Sequence, residues 1–171
     1  DDVDIFRVEF DKLKKQGVID EAGVKYDPYE KLEIRVPVLS IFRDGKSVDF
    51  AEADDVVEII LPETCFYVEA GGQVTDSGEI SSDENGNLKI VHQGRILSGK
   101  VQKGDLVVAS VDAKRRMNIM RNHTATHLLH AQLQKVLGNH AMQAGSLVAP
   151  DRLRFDFTHP EPLSHEQLDE I

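Results

Sequence analysis

The longest regular pattern in the chain runs from about Asp112 to Leu137. Met117, Met120, Leu128, Leu129, Leu133, Val136 and Leu137 recur at intervals that predict a helix with one buried stripe. Asp112 suits an N-cap, because its carboxylate can accept from the free amides of the first turn, and Gly138 supplies the stop. Inside this helix lies Arg121-Asn122-His123-Thr124-Ala125-Thr126-His127-Leu128-Leu129-His130. Residues four apart share a helix face, so His123 and His127 point the same way, and His130 falls on that side too. Two imidazoles at this spacing can hold one zinc ion through ring nitrogens at about 2.0–2.1 Å. The zinc peptidase motif has the same His spacing but carries a Glu between its ligands as general base. Here Thr124, Ala125 and Thr126 intervene, so that chemistry is not supported. A His pair four apart also fits an ordinary surface or core position, and the wider chain has to decide.

Of the 171 residues, 40% are hydrophobic and 29% charged, the balance of a globular protein able to bury a core in one large domain or two small ones. No apolar run approaches the length of about 18 residues that a membrane span needs, and membrane partners are not expected. The acidic start, Asp1-Asp2-Val3-Asp4, carries no apolar signal segment. A single cysteine, Cys65, rules out an internal disulfide framework and fits a reducing, cytoplasmic setting. Net charge of −10 argues against non-specific coating of nucleic acid, and DNA is not an expected partner. Locally the sign reverses: Lys100, Lys103, Lys114, Arg115, Arg116 and Arg121 face only Asp105 and Asp112 between Ser98 and Asn122. Such a cluster is either a solvated face or, through Lys114, Arg115, Arg116 and Arg121, a phosphate-binding patch.

Ahead of the long helix the texture differs. Val3, Phe6, Phe10 and Leu13 have helical spacing and Gly17 a plausible stop, which predicts a short amphipathic helix and then a connector to about residue 30. Leu32–Phe42, Val56–Leu61, Glu79–Ser82, Leu88–Val91 and Leu106–Val111 read as strands. Asp44-Gly45, Asn85-Gly86-Asn87 and Lys103-Gly104-Asp105 read as hairpin turns between them. Short strands at this spacing predict a small β-barrel over 31–111. After the long helix, two strands are expected near Ala144–Val148 and Leu153–Phe157. A capping box of Ser164 and Gln167 then opens another helix. The fold class is therefore α+β: residues 1–30 a helix and connector from an upstream domain, 31–111 a barrel, and 112–171 the first part of an α+β sandwich.

Thr64-Cys65-Phe66-Tyr67-Val68-Glu69-Ala70-Gly71-Gly72-Gln73, followed by Asp76-Ser77-Gly78, is the second unusual stretch. Gly71 and Gly72 permit positive φ and close backbone approach, and Gln73 brings an amide that both donates and accepts. Alone, this segment fits a tight turn as well as a ligand loop. Taken with His123–His130, Gln143-Ala144-Gly145-Ser146 and Leu153-Arg154-Phe155-Asp156-Phe157, it resembles the editing part of the alanyl-tRNA synthetase family, within the alanyl/threonyl editing superfamily. The resemblance covers about residues 55–171. Cys65 stands where a proline is usual and Ala70 where a serine is usual.

That resemblance implies a zinc-dependent hydrolase of tRNA(Ala) mischarged with Ser or Gly. His123 and His127 would be two of four zinc ligands, the others coming from a C-x-x-x-H beyond Ile171. Gln73 would orient substrate or water, Thr64, Gly71, Gly72 and Ser146 would line the pocket, and His130 would back the ligands or pack beside them. ATP and magnesium would belong to an upstream aminoacylation domain, and a C-terminal domain would follow. A second sieve of this kind is needed because binding discriminates only about 10–200-fold between substrates differing by one small group. The competing readings are a free-standing trans-editing deacylase and a non-catalytic tRNA-binding or structural zinc module.

Overall fold

Alternation of inward and outward residues explains most of the strands. The computed structural model describes residues 2–76, 79–82 and 88–171. The chain begins with helix α1 (Asp2–Lys15), followed by β1 (Lys25–Tyr26), β2 (Glu33–Pro37), β3 (Ser40–Arg43), β4 (Lys46–Val48), β5 (Phe50–Glu52) and β6 (Val56–Ile60). Next come β7 (Glu63–Thr64), β8 (Glu79–Ser82), β9 (Leu88–Arg95), β10 (Lys100–Gln102) and β11 (Leu106–Ser110). Helix α2 (Ala113–Leu137), β12 (Gln143–Val148), β13 (Leu153–Phe157) and α3 (His165–Glu170) complete it. The α+β class expected from the sequence is borne out. Packing divides the chain into two compact units, Asp1–Val68 with Asp76–Val111, and Glu69–Thr75 with Asp112–Ile171.

In the first unit a five-stranded sheet has the order β4-β3-β6-β9-β8. Its central strands are covered on both faces. Ile41 and Val57 point into one cluster with Ile34, Val36, Val38 and Leu61. Phe42 and Ile60 point the opposite way, into a second cluster with Phe10 and Leu13 of α1. The helix expected over 1–16 thus has its packing partner within this unit: Phe6 meets Phe42 edge-on at 5.0 Å, and Ser40 donates to the buried Glu9 at 2.6 Å. Burial on both faces is why β3 and β6 carry apolar residues at neighbouring positions, whereas β2 alternates buried and exposed residues.

The sheets do not close into the expected barrel. Beside the five-stranded sheet lie three separate pairs, β1-β7, β5-β10 and β2-β11. Closure needs one continuous, staggered ladder. Here short strands change partners where the chain bends: β3–β4 is a hairpin of the large sheet, and β5, two residues on, pairs instead with β10. The Asp44-Gly45 hairpin forms as expected, both residues at positive φ. Lys103-Gly104-Asp105 is a turn but not a hairpin, because the strands it joins pair with β5 and β2 rather than with each other. Strands β8 and β9 pair antiparallel, while the turn at Asn85-Gly86-Asn87 lies outside the described residues.

The second unit sets α2 against the antiparallel pair β12-β13. The segment 69–75 belongs here rather than with the strands that flank it in sequence. Val74 N–H donates to Val148 O at 3.0 Å and Val148 N–H to Gly72 O at 2.7 Å, which attaches the glycine loop to the end of β12. Helix α3 opens with the Ser164–Gln167 capping box and meets α2 where Gln132 Nε2 donates to Glu170 O at 2.7 Å.

Candidate functional site

Helix α2 is held at both ends by the expected devices. Asp112 accepts from Arg115 N–H at 2.9 Å, and Gly138, at φ 104°, donates to Gln134 O. The face it buries takes in only part of the expected apolar stripe, with Leu133 buried and Leu129, Val136 and Leu137 half-buried. Met117, Met120 and Leu128 are exposed, whereas Arg116, Ile119, Thr126 and Leu133 are buried. Those four positions, with His123 and His130 between them, repeat at alternating steps of three and four and form the seam that meets the sheet. The seam is polar because it lines a site. Thr126 donates back to Asn122 O at 2.8 Å, and Asn122 Nδ2 donates to Ala149 O at 2.7 Å, fixing the helix to the chain just past β12.

A cavity of about 40 Å³ opens along this seam, lined by Gly71, His123, Thr126, His127, His130, Gln143, Ser146, Val148 and Phe155. The His123 and His127 rings lie 5.0 Å apart and 19° from parallel. His123 Nδ1 is 2.6 Å from Gln73 Oε1. Gln143 Nε2 donates to Ser146 Oγ at 3.2 Å, and Ser146 Oγ donates to Gly71 O at 3.3 Å. The close approach of Ser146 depends on glycine. At Gly72, with φ +82°, a Cβ would strike Ser146 Oγ and stand 2.6 Å from its carbonyl oxygen. His130 rests against Phe155 with ring centroids 4.9 Å apart, and its Nε2 is buried with no hydrogen-bond partner.

The structure thus gathers Gly71, Gly72, Gln73, His123, His127 and Ser146 in one unit. Thr64 is not among them. It sits in the first unit, 2% exposed, accepting from Phe66 N–H at 3.1 Å and 2.9 Å from His92 Nε2. His92 Nδ1 is 3.3 Å from Ile59 O, and burial pushes this histidine below its ordinary 6.5 against the opposing pull of the Ile59 hydrogen bond. Of the basic cluster, Lys114 and Arg121 are exposed, Arg115 is partly covered, and Arg116 is only 4% exposed. Sequence reasoning passed over Thr126 and Gln143 as site residues, although both lie in the quoted motifs. Thr126 stands three residues from His123 on the same face, a spacing that could have flagged it. His140 and His159 were also read apart, yet their rings are 5.1 Å apart with Nε2 2.9 Å from Nδ1.

For a zinc ion, the paired imidazoles beside a polar cavity fit two donors. Among the described residues no three His, Cys, Asp or Glu side chains come together to complete a set.

Residues 6–115 match the family model described as tRNA synthetases class II (A), and the chain belongs to that family. Within it, the chain is similar to alanine–tRNA ligases: 47% identical to that of Thermotoga petrophila over 86% of this chain and 18% of the relative. It is 44% identical to the Chloroflexus aurantiacus ligase, over 90% of this chain and 18% of the relative. Identity to the Acidithiobacillus ferridurans ligase is 50%, over 78% of this chain and 16% of the relative. The chain therefore spans less than a fifth of the length of these curated relatives. The resemblance to alanyl-tRNA synthetases is borne out.

Proposed function

We propose that this chain is the editing region of an alanyl-tRNA synthetase, and that the cavity along α2 is where the ester of Ser-tRNA(Ala) or Gly-tRNA(Ala) is hydrolysed with zinc. The observation that supports this most is the convergence of His123, His127 and Gln73 beside a cavity of about 40 Å³ that also has Thr126, Gln143 and Ser146 in its orbit. His123 and His127 would hold the ion, which when bound polarises a carbonyl or activates a water. The protein's own part is selection. A space this small admits only a small side chain, and the hydroxyl and amide groups around it can bond a serine hydroxyl. Alanine offers no hydroxyl to bond them, and would forgo the net gain of about 0.5–1.5 kcal/mol that a serine hydrogen bond contributes. Lys114 and Arg121, exposed on α2, would contact tRNA phosphates. Charging with ATP and magnesium would belong to other parts of the longer relatives, and the remaining zinc ligands to a C-x-x-x-H outside these residues.

One observation favours a second reading, a structural or tRNA-binding zinc module: the described residues bring only two ligands together. The two separate on substitution. In a protein extended through the downstream C-x-x-x-H, replacing both His123 and His127 with Ala should remove bound zinc and cut Ser-tRNA(Ala) hydrolysis by about 100-fold or more. Loss of zinc with tRNA affinity reduced, from a parent that never hydrolysed the ester, would establish the module instead.

A further inference from the structure

We infer that Gln73 is a positioning residue for His123, its side-chain oxygen selecting the ring tautomer that leaves Nε2 free to bind metal. The functional half of this inference rests on the zinc reading above; the structural half does not. His123 Nδ1 lies 2.6 Å from Gln73 Oε1. An amide oxygen has only lone pairs to offer, so the hydrogen between them sits on Nδ1. A neutral imidazole carries one N–H, and Nε2 is then left with the lone pair that coordination needs. Were the amide turned over, its NH₂ would donate to Nδ1, the ring hydrogen would move to Nε2, and that nitrogen could not ligate.

The backbone that carries Gln73 is anchored on both sides. Gln73 is 5% exposed, and its N–H donates to Ala70 O at 3.0 Å. The residues on either side are bonded to Val148, through Gly72 O at 2.7 Å and Val74 N–H at 3.0 Å. Gly72 allows this, because only a residue lacking Cβ can lie so close to Ser146. The glycine pair, the glutamine and the first histidine therefore act in series: backbone approach, a buried amide oxygen set against Nδ1, and the tautomer it selects.

The test is the long-range proton–nitrogen spectrum of the histidine rings in the full, metal-free chain, recorded above the pH range where imidazole titrates. His123 should carry its hydrogen on Nδ1. Gln73→Glu should keep it there, whereas Gln73→Leu should shift His123 toward the Nε2–H form and leave His127 as an internal control. Zinc affinity should fall about 10–100-fold in Gln73→Leu and stay near wild type in Gln73→Glu. An Nε2–H tautomer at His123 in the wild-type chain would overturn the inference, whether or not zinc binds, and so would an unchanged tautomer in a folded Gln73→Leu. If Gln73→Leu does not fold, the wild-type spectrum decides alone. An Nδ1–H tautomer in a protein that never takes up zinc would leave the positioning intact and remove the zinc reading.

Discussion

His92 shows what a single buried titratable group does to this protein. Burial disfavours the charged ring and holds its pKa below the ordinary 6.5, against the opposing pull of the hydrogen bond to Ile59 O. The unfolded chain then binds the proton more readily than the folded one. Its contribution to stability is fully present above about pH 6.5 and is lost as pH falls through the lowered value. Thermal unfolding followed from about pH 8 to about pH 5 should show this slope in the wild type and a shallower one in His92→Gln; equal slopes would remove His92 as the cause. The glycine pair makes a second residue-level prediction. Gly72→Ala combines a positive φ with a clash on Ser146, and Gly71→Ala has the positive φ alone. Urea unfolding should therefore report a loss of about 2–3 kcal/mol at Gly72 and about 1 kcal/mol at Gly71. That glycines allow close approach was readable from the sequence. That Thr64 would meet His92 was not, because the partners are brought together only through pairing of distant strands.

At the scale of elements, α2 divides what local chemistry reveals from what packing decides. Its ends were legible because capping uses neighbours in sequence: Asp112 bonds Arg115 N–H, and Gly138 leaves the helical region of φ/ψ. Asp112→Ala should cost about 1 kcal/mol, read as a lower melting temperature of the helical signal. Its buried face was only partly legible. Leu133 is buried as expected, but Met117, Met120 and Leu128 are exposed, and the side that meets β12–β13 carries His123, Thr126 and His130. A site lined by a helix places polar groups where periodicity alone expects apolar ones. The strands repeat the lesson. Most of their positions were legible from alternation and turn residues, but which strand pairs with which depends on bends of a few residues, and the barrel expectation failed there.

Across the whole molecule, two cores of different character share one chain. The first unit buries large aliphatic and aromatic side chains on both faces of its sheet. The second rests on few, among them Ile119 at 0% and Leu133 at 2% exposure, and spends much of its helix face on the cavity. Ile119→Ala should therefore destabilise the second unit by about 2–4 kcal/mol, measurable by urea denaturation. The excursion of residues 69–75 out of the strand-rich unit brings Gln73 to His123, two residues 50 positions apart in sequence. No local pattern announces that contact; the motif resemblance alone hinted at it. The most direct measurement is hydrolysis of Ser-tRNA(Ala) against Ala-tRNA(Ala), by this chain and by a longer protein that adds the proposed remaining zinc ligands, with and without a chelator. Selective loss of the serine ester, abolished by the chelator and restored by zinc, is the predicted result. Both esters surviving in the presence of a zinc-loaded extended protein would contradict it.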